Sequence, residues 1–599
     1  MTVNTRENWS NSTFGNEDCL PRVPLPTLED SCARFVEWCA PLLTAEELAT
    51  TEAAVADFLR PDSPAHTLHA ELQRYAASDG VRSWLDLFWP SRYLGRRDRI
   101  ALNANFFFLF TPSSQAQISR AASLIASTVD YKLRLDAEAI PPALQRGRAL
   151  SMEQNKFLFS TTRIPGEEQD TVRAPYSAEE PGPSRARHIV VFFRGNMFRM
   201  DVLDPQGNPY SQVDLEAGLE EVRKVGAVAA QNPVGHLTTE ARAEWAADRR
   251  ALRALPGNAD ALDAVETALF CLCLDDITPE DTQQACDQLL HGDSGNRWFD
   301  KSVSFIVFAD GTAGINIEHC GLDGTTVLSF VDTVLTTQPE PVSPKGSPPV
   351  TPIEFALDEA LRTSVRTAAT AFADYAAANA TTTVSFDDIG STRIKELGAS
   401  PDAFMQLAYQ LAHKRTKGFT GATYESIATR QYQNGRTEAM RVVTPEVLRF
   451  VDVMDDPDTD SVERLSAFHA AATEHVARAK ECQAGQAPEQ HLWELQLIAK
   501  RRGAELGVAA DQLALYDTPG WRIMRDDYLS TSSAPSTNIQ YFGFGSTSSH
   551  CIGVAYVLLP DHVNLYLSTP RPVAEQMHAF AENLTVAVYE LEDLLLADG

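Results

Sequence analysis

A histidine near the middle of the chain is the first candidate for chemistry. His319 directly follows a strand-like segment, Ala313–Glu318, and glycines stand nearby at positions 321 and 324. A neutral imidazole, with an ordinary pKa of about 6.5, can take a proton from a hydroxyl or from a thiol. Because a single histidine is more often structural than catalytic, the residue by itself indicates only a candidate general base.

A second candidate is the hydroxyl-rich segment Leu529-Ser530-Thr531-Ser532-Ser533. Its hydroxyl groups could donate hydrogen bonds to an oxygen that becomes negatively charged during a reaction. The alternative, which the composition of the segment favours, is a turn whose hydroxyls bond to the backbone.

The segment Ser400–Phe404 predicts the start of a helix. Ser400 is expected at the N-cap, Pro401 at the first helical position and Asp402 in the first turn. Such a helix start is explained by structure alone, although its N-terminus could also receive an anion.

Several familiar site patterns are absent from the sequence. It contains no HExxH, no paired Cys/His spacing, no glycine-rich phosphate loop and no GxSxG. The nine cysteines are odd in number and scattered, which predicts reduced thiols rather than a disulfide framework. We therefore expect no metal site.

Strands and helices are predicted in both halves of the chain. The strand-like segments are His188–Phe193, Phe198–Leu203, Val303–Ala309, Ala313–Glu318, Asn538–Phe544, Cys551–Leu558 and Val563–Ser568. Helices are predicted behind a capping box at Thr44–Glu47 and over 353–378, 400–415 and 572–596. Asp310-Gly311 predicts a hairpin, and the stretches 165–187 and 338–352 predict surface loops. This mixture predicts two α/β domains, 1–380 and 381–599, between which segments can be exchanged.

The charge of the chain limits its partners. Its 599 residues include 51 Lys and Arg against 81 Asp and Glu, a net charge of −30. Such a field repels nucleic acid and anionic membranes. No apolar run approaches the roughly 18 residues of a membrane span, and the first 21 residues lack a secretory pattern. We expect a soluble cytoplasmic protein that neither binds nucleic acid nor spans a membrane.

A set of motifs, taken in order, resembles the choline/carnitine O-acyltransferase family. The motifs are Leu20–Pro26, Phe159–Gly166, Asn296–Lys301, Ser400–Phe404, Thr423–Ser426, Gly435–Glu438 and Leu529–Ser532. They extend over nearly the whole chain, and His319 falls on the catalytic histidine of the family. The resemblance implies an α/β fold of two domains, each related to chloramphenicol acetyltransferase, with an active-site tunnel at their interface.

The resemblance implies an O-acyltransferase that moves a short acyl group between coenzyme A and the hydroxyl of a small acceptor. His319 would act as general base without an acyl-enzyme, so Cys320 is expected to be a packing residue. Ser532 would donate a hydrogen bond to the oxyanion. Arg436 would pair with Asp323, where the family usually carries Glu, as structural support for the loop after His319.

Recognition of coenzyme A matches the family pattern in part. Lys395 occupies the second of two lysine positions at the 3′-phosphate; the first holds Ser391, and Arg393 is a nearby substitute. Asp402 matches the acidic residue at the adenine end. Residues 391–441 contain eight Lys and Arg against four Asp and Glu, a net +4 that marks this segment for a polyanionic substrate.

The predicted acceptor site departs from the carnitine pattern. The resemblance assigns Tyr424, Thr437 and Ser530 to the acceptor. Phe544 would face a trimethylammonium group, with a strand phenylalanine in the core as the alternative. The carboxylate-binding Arg is replaced by Gln490, so a charge-assisted contact becomes a neutral hydrogen bond, about half as strong.

Phe542 stands where short-chain enzymes of the family carry Met and long-chain enzymes carry Gly, which predicts a short acyl group. Carnitine is the first candidate acceptor. The alternative is an acyltransferase for another alcohol, which could be choline or a polyol. Its reaction could also be the release of an acyl or polyketide chain from a carrier protein. A non-catalytic binding protein with the same fold is the third possibility.

Overall fold

The computed structural model describes residues 9–509 and 512–597. Within them the chain forms two compact units, each assembled from separate segments. Of the described residues, unit 1 comprises 9–20, 90–379 and 536–545, and unit 2 comprises 21–89, 380–509, 512–535 and 546–597. Residues 1–8, part of the segment without a secretory pattern, lie outside the described residues.

The described residues form α-helices in both units. Their bounds are α1 (Leu28–Cys39), α2 (Ala45–Phe58), α3 (Pro64–Ala76), α4 (Gln117–Asp136), α5 (Gln212–Val225), α6 (Arg242–Ala254), α7 (Asn258–Thr267), α8 (Thr282–Leu290), α9 (Gly324–Thr336), α10 (Glu359–Ala377), α11 (Ser391–Glu396), α12 (Pro401–Lys417), α13 (Pro445–Asp455), α14 (Ser461–Gln483), α15 (Glu489–Leu506), α16 (Pro519–Ile523) and α17 (Ala574–Leu596). The capping box predicted at Thr44–Glu47 is confirmed at the start of α2.

The strands are distributed along the chain among these helices. Their bounds are β1 (Phe106–Phe110), β2 (Leu144–Gln145), β3 (Arg148–Ala149), β4 (Thr162–Ile164), β5 (Thr171–Arg173), β6 (His188–Phe193), β7 (Asn196–Asp201), β8 (Cys271–Leu274), β9 (Val303–Val307), β10 (Ala313–Ile317), β11 (Val350–Ile353), β12 (Asn379–Phe386), β13 (Thr423–Ala428), β14 (Thr437–Arg441), β15 (Leu529–Ser533), β16 (Ile539–Phe544), β17 (Ile552–Leu558) and β18 (Val563–Pro570). The predicted α/β fold class is confirmed.

Unit 1 is built on an eight-stranded mixed sheet in the order β11-β7-β6-β8-β9-β10-β1-β16. The predicted hairpin is confirmed, since β9 and β10 pair antiparallel with Ile317 opposite Val303. Gly311 has φ +87° in its turn, and a Cβ there would lie 2.0 Å from the carbonyl oxygen of Gln115. The end of β10 at Ile317 therefore fixes where the loop of His319 begins.

Unit 2 is built on a six-stranded mixed sheet in the order β12-β18-β17-β15-β13-β14. The central helix α12 is buried from Ala403 to His413, as expected of a helix that is apolar on almost every side. Its Phe404 and Leu411 share one core cluster with Phe580 and Leu584 of α17.

Two local predictions are wrong. Leu529–Ser533 is not a turn but strand β15, because β13 and β17 pair with it on both sides. Residues 350–353 are not loop or helix but the edge strand β11, which pairs with β7. Pairing with strands distant in the sequence decided both. Ser400, in contrast, is the N-cap residue of α12 as predicted, although its side chain makes no capping hydrogen bond.

The cysteines and the hydrophobicity of the helices complete the description of the fold. All nine cysteines are free, and all except Cys19 are buried. Burial raises the pKa of Cys271 and of Cys551 to about 12. Among the described residues, no helix has the length and apolar character that crossing a bilayer requires.

Candidate active site

His319 lies in the loop between β10 and α9, with 25% of its side chain exposed. Its Nδ1 lies 2.5 Å from the carbonyl oxygen of Leu322. Since a carbonyl oxygen can only accept, Nδ1 carries the proton and Nε2 carries the lone pair of the neutral ring. The contact therefore selects the tautomer of a base that acts through Nε2.

Asp323 lies in the loop after His319 and contacts both His319 and Gln154. Its Oδ1 lies 3.5 Å from Nδ1 of His319. Its Oδ2 accepts a 2.8 Å hydrogen bond from Nε2 of Gln154, whose Oε1 accepts one of 2.8 Å from the Asp323 N–H. The guanidinium of Arg436, the predicted partner, lies 5.2 Å from the ring centroid of Trp89 within unit 2. Pairing of Arg436 with Asp323 stays a prediction.

Aromatic rings line the same side of the unit 1 sheet as His319. The ring centroid of Phe106 lies 5.2 Å from that of His319 and 6.1 Å from that of Phe542. Phe542 pairs with Phe108 across the sheet, is only 6% exposed, and lies 5.6 Å from Phe544. The residue predicted to limit the acyl group is thus one aromatic ring away from the candidate base.

The register of the unit 2 sheet brings the predicted hydroxyl residues to one face. Tyr424 pairs with Ser530 of β15, and Ser532 follows two residues later on that strand. Thr437 pairs with Ala428, four residues after Tyr424 on β13. Because paired residues, and residues two apart on a strand, share a face, these four side chains project together. Thr531 points the other way and donates to the Tyr424 carbonyl at 2.8 Å.

Gln490, at the start of α15, is turned toward the protein. It is 2% exposed, and its Nε2 donates to the carbonyl oxygen of Thr437 at 2.8 Å. Flipping the amide would place two acceptor oxygens in contact, so this orientation is fixed. Arg441, on the face of Tyr424, is neutralised by two carboxylates, Glu489 and Asp527. Neither residue offers an unpaired cation to a substrate carboxylate.

The residues predicted to bind coenzyme A divide between two places in unit 2. Arg393 and Lys395 lie on α11, where Nε of Arg393 donates to Glu592 at 2.7 Å and Lys395 is exposed. Asp402 lies in the first turn of α12 and accepts from the Tyr556 hydroxyl at 2.6 Å. Within the described ranges, no recorded contact joins Arg393 or Lys395 to Asp402. Their shared role stays a prediction.

Asp402 belongs to a cluster on the helix-covered face of the unit 2 sheet. Nε2 of His475 lies 3.1 Å from Asp402 Oδ2 and 3.5 Å from Glu425 Oε2. Burial, and then the Asp402 carboxylate, raise the pKa of Glu425 well above its ordinary value. Burial would raise the pKa of Asp402 too, but His475 outweighs it and lowers that pKa. The three are metal-ligand residue types within 4.8 Å of one another, at no recognisable ligand spacing.

The positive segment 391–441 is largely neutralised in the folded chain. Four of its eight cations form ion pairs with carboxylates from outside the segment: Arg393 with Glu592, Lys414 with Asp452, Arg415 with Asp455 and Glu590, and Arg441 with Glu489 and Asp527. The charge counted along the sequence therefore overstates the charge available to a polyanionic substrate.

Several residues around His319 were not singled out from the sequence. Gln154 stands in the short 3-10 helix Glu153–Phe157, and no pattern indicates it. Arg163 lies inside the motif Phe159–Gly166, and Glu318 is the direct neighbour of His319. For Glu318 a signal existed, since a charged residue beside a predicted base is a candidate for orienting it. For Arg163 the signal was its place in a family motif.

Comparison with known proteins gives a consistent picture. The family model for Choline/Carnitine o-acyltransferase matches residues 23–586. Carnitine O-palmitoyltransferase 2, mitochondrial, of Rattus norvegicus is 31% identical, and the match covers 93% of this chain and 89% of that protein. Carnitine O-acetyltransferase of Homo sapiens is 29% identical, with coverage of 97% and 94%. Among solved structures, TRI3 trichothecene 15-O-acetyltransferase from Fusarium sporotrichioides is 10% identical, with coverage of 83% and 92% and a TM-score of 0.35.

The names of these relatives differ in the acyl group, and one of them states a location. The palmitoyltransferase is named as mitochondrial, so a cytoplasmic location stays a prediction for this chain. One relative is named for a palmitoyl group and the other for an acetyl group, so the short acyl group stays a prediction.

Proposed function

Because this chain belongs to the choline/carnitine O-acyltransferase family, and so is an enzyme that transfers acyl groups between coenzyme A and a hydroxyl acceptor, we propose that His319 is its general base. The observation that carries the proposal is the hydrogen bond from Nδ1 to the Leu322 carbonyl. It directs the basic lone pair to Nε2, where a hydroxyl or a thiol can deliver its proton.

The proposed reaction needs only one base. Nε2 of His319 takes the proton of the acceptor hydroxyl while the oxygen attacks the thioester carbonyl carbon. Ser532 donates a hydrogen bond to the oxyanion of the tetrahedral intermediate. The carbon–sulfur bond then breaks, and the imidazolium returns its proton to the thiolate. Cys320, which is buried, takes no part.

Substrate contacts are proposed by their match to the family motifs. Lys395, Arg393 and Asp402 would contact coenzyme A, and Phe542 would limit the acyl group to a short chain. The acceptor, with carnitine as first candidate, would contact the side chains Tyr424, Thr437, Gln490, Ser530 and Phe544. The common face of Tyr424, Thr437, Ser530 and Ser532 supports this grouping.

A second candidate acceptor is an alcohol without a carboxylate, and the orientation of Gln490 favours it. Its amide donates to the Thr437 carbonyl, and it replaces a cation that would pair with carboxylate. Introducing Gln490→Arg should lower the KM for carnitine at least tenfold, about 1.4 kcal/mol of binding, while the KM for choline does not improve. An unchanged carnitine KM would contradict the carboxylate argument.

The test of the proposed function is an acceptor panel. Release of free thiol from acetyl-CoA is followed with DTNB in the presence of carnitine, choline or polyols, and an acyl-loaded carrier protein replaces acetyl-CoA in a parallel arm. We expect acceptor-dependent release that His319→Ala abolishes and Cys320→Ala retains. Full activity of His319→Ala would refute the general base. No release with any donor and acceptor would favour a non-catalytic binding protein.

A further inference from the structure

We propose that Arg163 and Glu318 are positioning residues, which hold the His319 imidazole in the orientation that its proton transfer requires. The inference rests on the proposed function of His319 as base. Both side chains are 1% exposed, so they are placed to act through their neighbours. They would do so through the backbone of the residue that follows His319 and through a ring that packs against the imidazole.

The first link runs through the loop that carries His319. Nη1 of Arg163 donates to Oε1 of Glu318 at 3.1 Å, and Oε2 of Glu318 accepts from the Cys320 N–H at 3.0 Å. The residues directly before and after His319 are thereby tied to one guanidinium. This restricts the peptide plane between His319 and Cys320.

The second link runs through Tyr93. Nη2 of Arg163 donates to the Tyr93 carbonyl oxygen at 2.7 Å. The ring of Tyr93 packs against His319, with centroids 4.8 Å apart and planes 40° apart. One planar guanidinium thus orders both the loop and the ring beside it, which the single ammonium of a lysine could not reproduce.

The third observation is that this arrangement buries several charged side chains. Asp170 Oδ2 accepts from Nε of Arg163 at 2.6 Å and from Nε of Arg242 at 2.7 Å. Burial would lower the pKa of Arg163, but the carboxylates of Glu318 and Asp170 outweigh burial and raise it. Buried ion pairs are often no more stabilising than apolar packing of the same volume. Stability alone therefore does not explain a buried ion-pair network at this position.

The chain offers a matched control in the same sheet. Arg297 donates to both oxygens of Asp275, at 2.8 and 2.6 Å, and both side chains are buried. Asp275 follows the C-terminal end of β8, which is parallel to β9, whereas β10 runs antiparallel to β9. Arg297 and Asp275 therefore lie at the end of the central strands that is opposite to the end carrying His319.

The experiment compares kcat, KM and stability of full-length variants. Glu318→Gln keeps the shape of the side chain and removes its charge. Arg163→Lys keeps the positive charge and removes the planar guanidinium with its several N–H donors. With acetyl-CoA and the best acceptor of the panel, we expect kcat to fall about 100-fold, as for a small misplacement of a catalytic group. KM for both substrates should be unchanged. The double variant should be no slower than the slower single variant.

The controls separate positioning from loss of stability. Arg297→Lys and Asp275→Asn should lose a comparable free energy of unfolding in urea and keep their kcat. An equal fall of kcat in these variants, or full kcat in Glu318→Gln, would overturn the inference. If Glu318→Gln does not fold, Glu318→Asp replaces it, since it keeps the charge but shortens the reach to the Cys320 N–H. Full kcat in that variant would also overturn the inference.

A parallel measurement of His319→Ala distinguishes the two proposals. If His319→Ala keeps its activity, the general-base function itself is wrong. If His319→Ala is inactive while Glu318→Gln is fully active, only the positioning role is wrong.

Discussion

Replacing Phe542 should change which acyl groups the enzyme accepts. The Phe542 side chain is 6% exposed and fills the space beside two rings of β1, with centroid distances of 6.1 Å to Phe106 and 5.5 Å to Phe108. Since Phe106 also packs against His319, we expect a longer acyl chain bound at the base to extend into this space. We expect Phe542→Gly to open it.

The size of the effect follows from the apolar area that becomes available. Hexanoyl-CoA carries four more methylenes than acetyl-CoA, and each buried methylene contributes about 0.8 kcal/mol. The sum is about 3 kcal/mol, so kcat/KM for hexanoyl-CoA relative to acetyl-CoA should rise about 200-fold. The same cavity, when empty, should cost roughly 3–5 kcal/mol of stability.

The assay is release of free thiol from acetyl-CoA, hexanoyl-CoA and palmitoyl-CoA, together with unfolding in urea. Phe107→Gly is the matched control, because Phe107 is equally buried on β1 but points to the opposite face of the sheet. It should lose stability without changing the ratio of the substrates. An unchanged ratio in a folded Phe542→Gly, or wild-type turnover of palmitoyl-CoA as fast as of acetyl-CoA, would refute the reasoning.

Two further predictions concern the oxyanion and a buried acid. Ser532→Ala should lower kcat by about 10²–10³ in steady-state kinetics, whereas its exposed neighbour Ser533→Ala should not; equal effects would contradict the role. Burial, then Asp248 and Glu244, raise the pKa of Glu240 from 4.5 to about 8. Because folding raises the pKa of this carboxyl, it ionises more readily in the unfolded chain. The folded state therefore loses stability as pH rises from about 4.5 to about 8. Glu240→Gln should therefore raise the free energy of unfolding at pH 8, by at most about 4 kcal/mol, and change it little at pH 4.5; urea denaturation at both pH values checks this.

Much of the fold could be predicted from local patterns. The strand β6 has its predicted bounds, the hairpin turns at Gly311, and α12 begins at Pro401. Each of these rests on a short-range cause: an uninterrupted apolar run, a positive φ, a proline at the first helical position. The strand β15 could not be predicted in this way, because its serines favour a turn and only its pairing with β13 and β17 makes it a strand.

Charge shows the same division between local and distant causes. The count of +4 over residues 391–441 is a correct statement about the sequence. Ion pairs with residues such as Glu592 and Glu489, which lie far along the chain, cancel much of it after folding. A count along the sequence reports how many charges exist, and only the fold decides which of them meet.

The sequence by itself determined the family and the identity of the candidate base. Side-chain types in a fixed order are sufficient for both, since a motif needs no coordinates to be recognised. The tertiary structure alone decided which nitrogen of His319 is basic, which way the amide of Gln490 points, and which charged residues surround the loop of His319. These depend on carbonyls and carboxylates that folding brings within hydrogen-bond distance, about 2.7–3.2 Å between donor and acceptor.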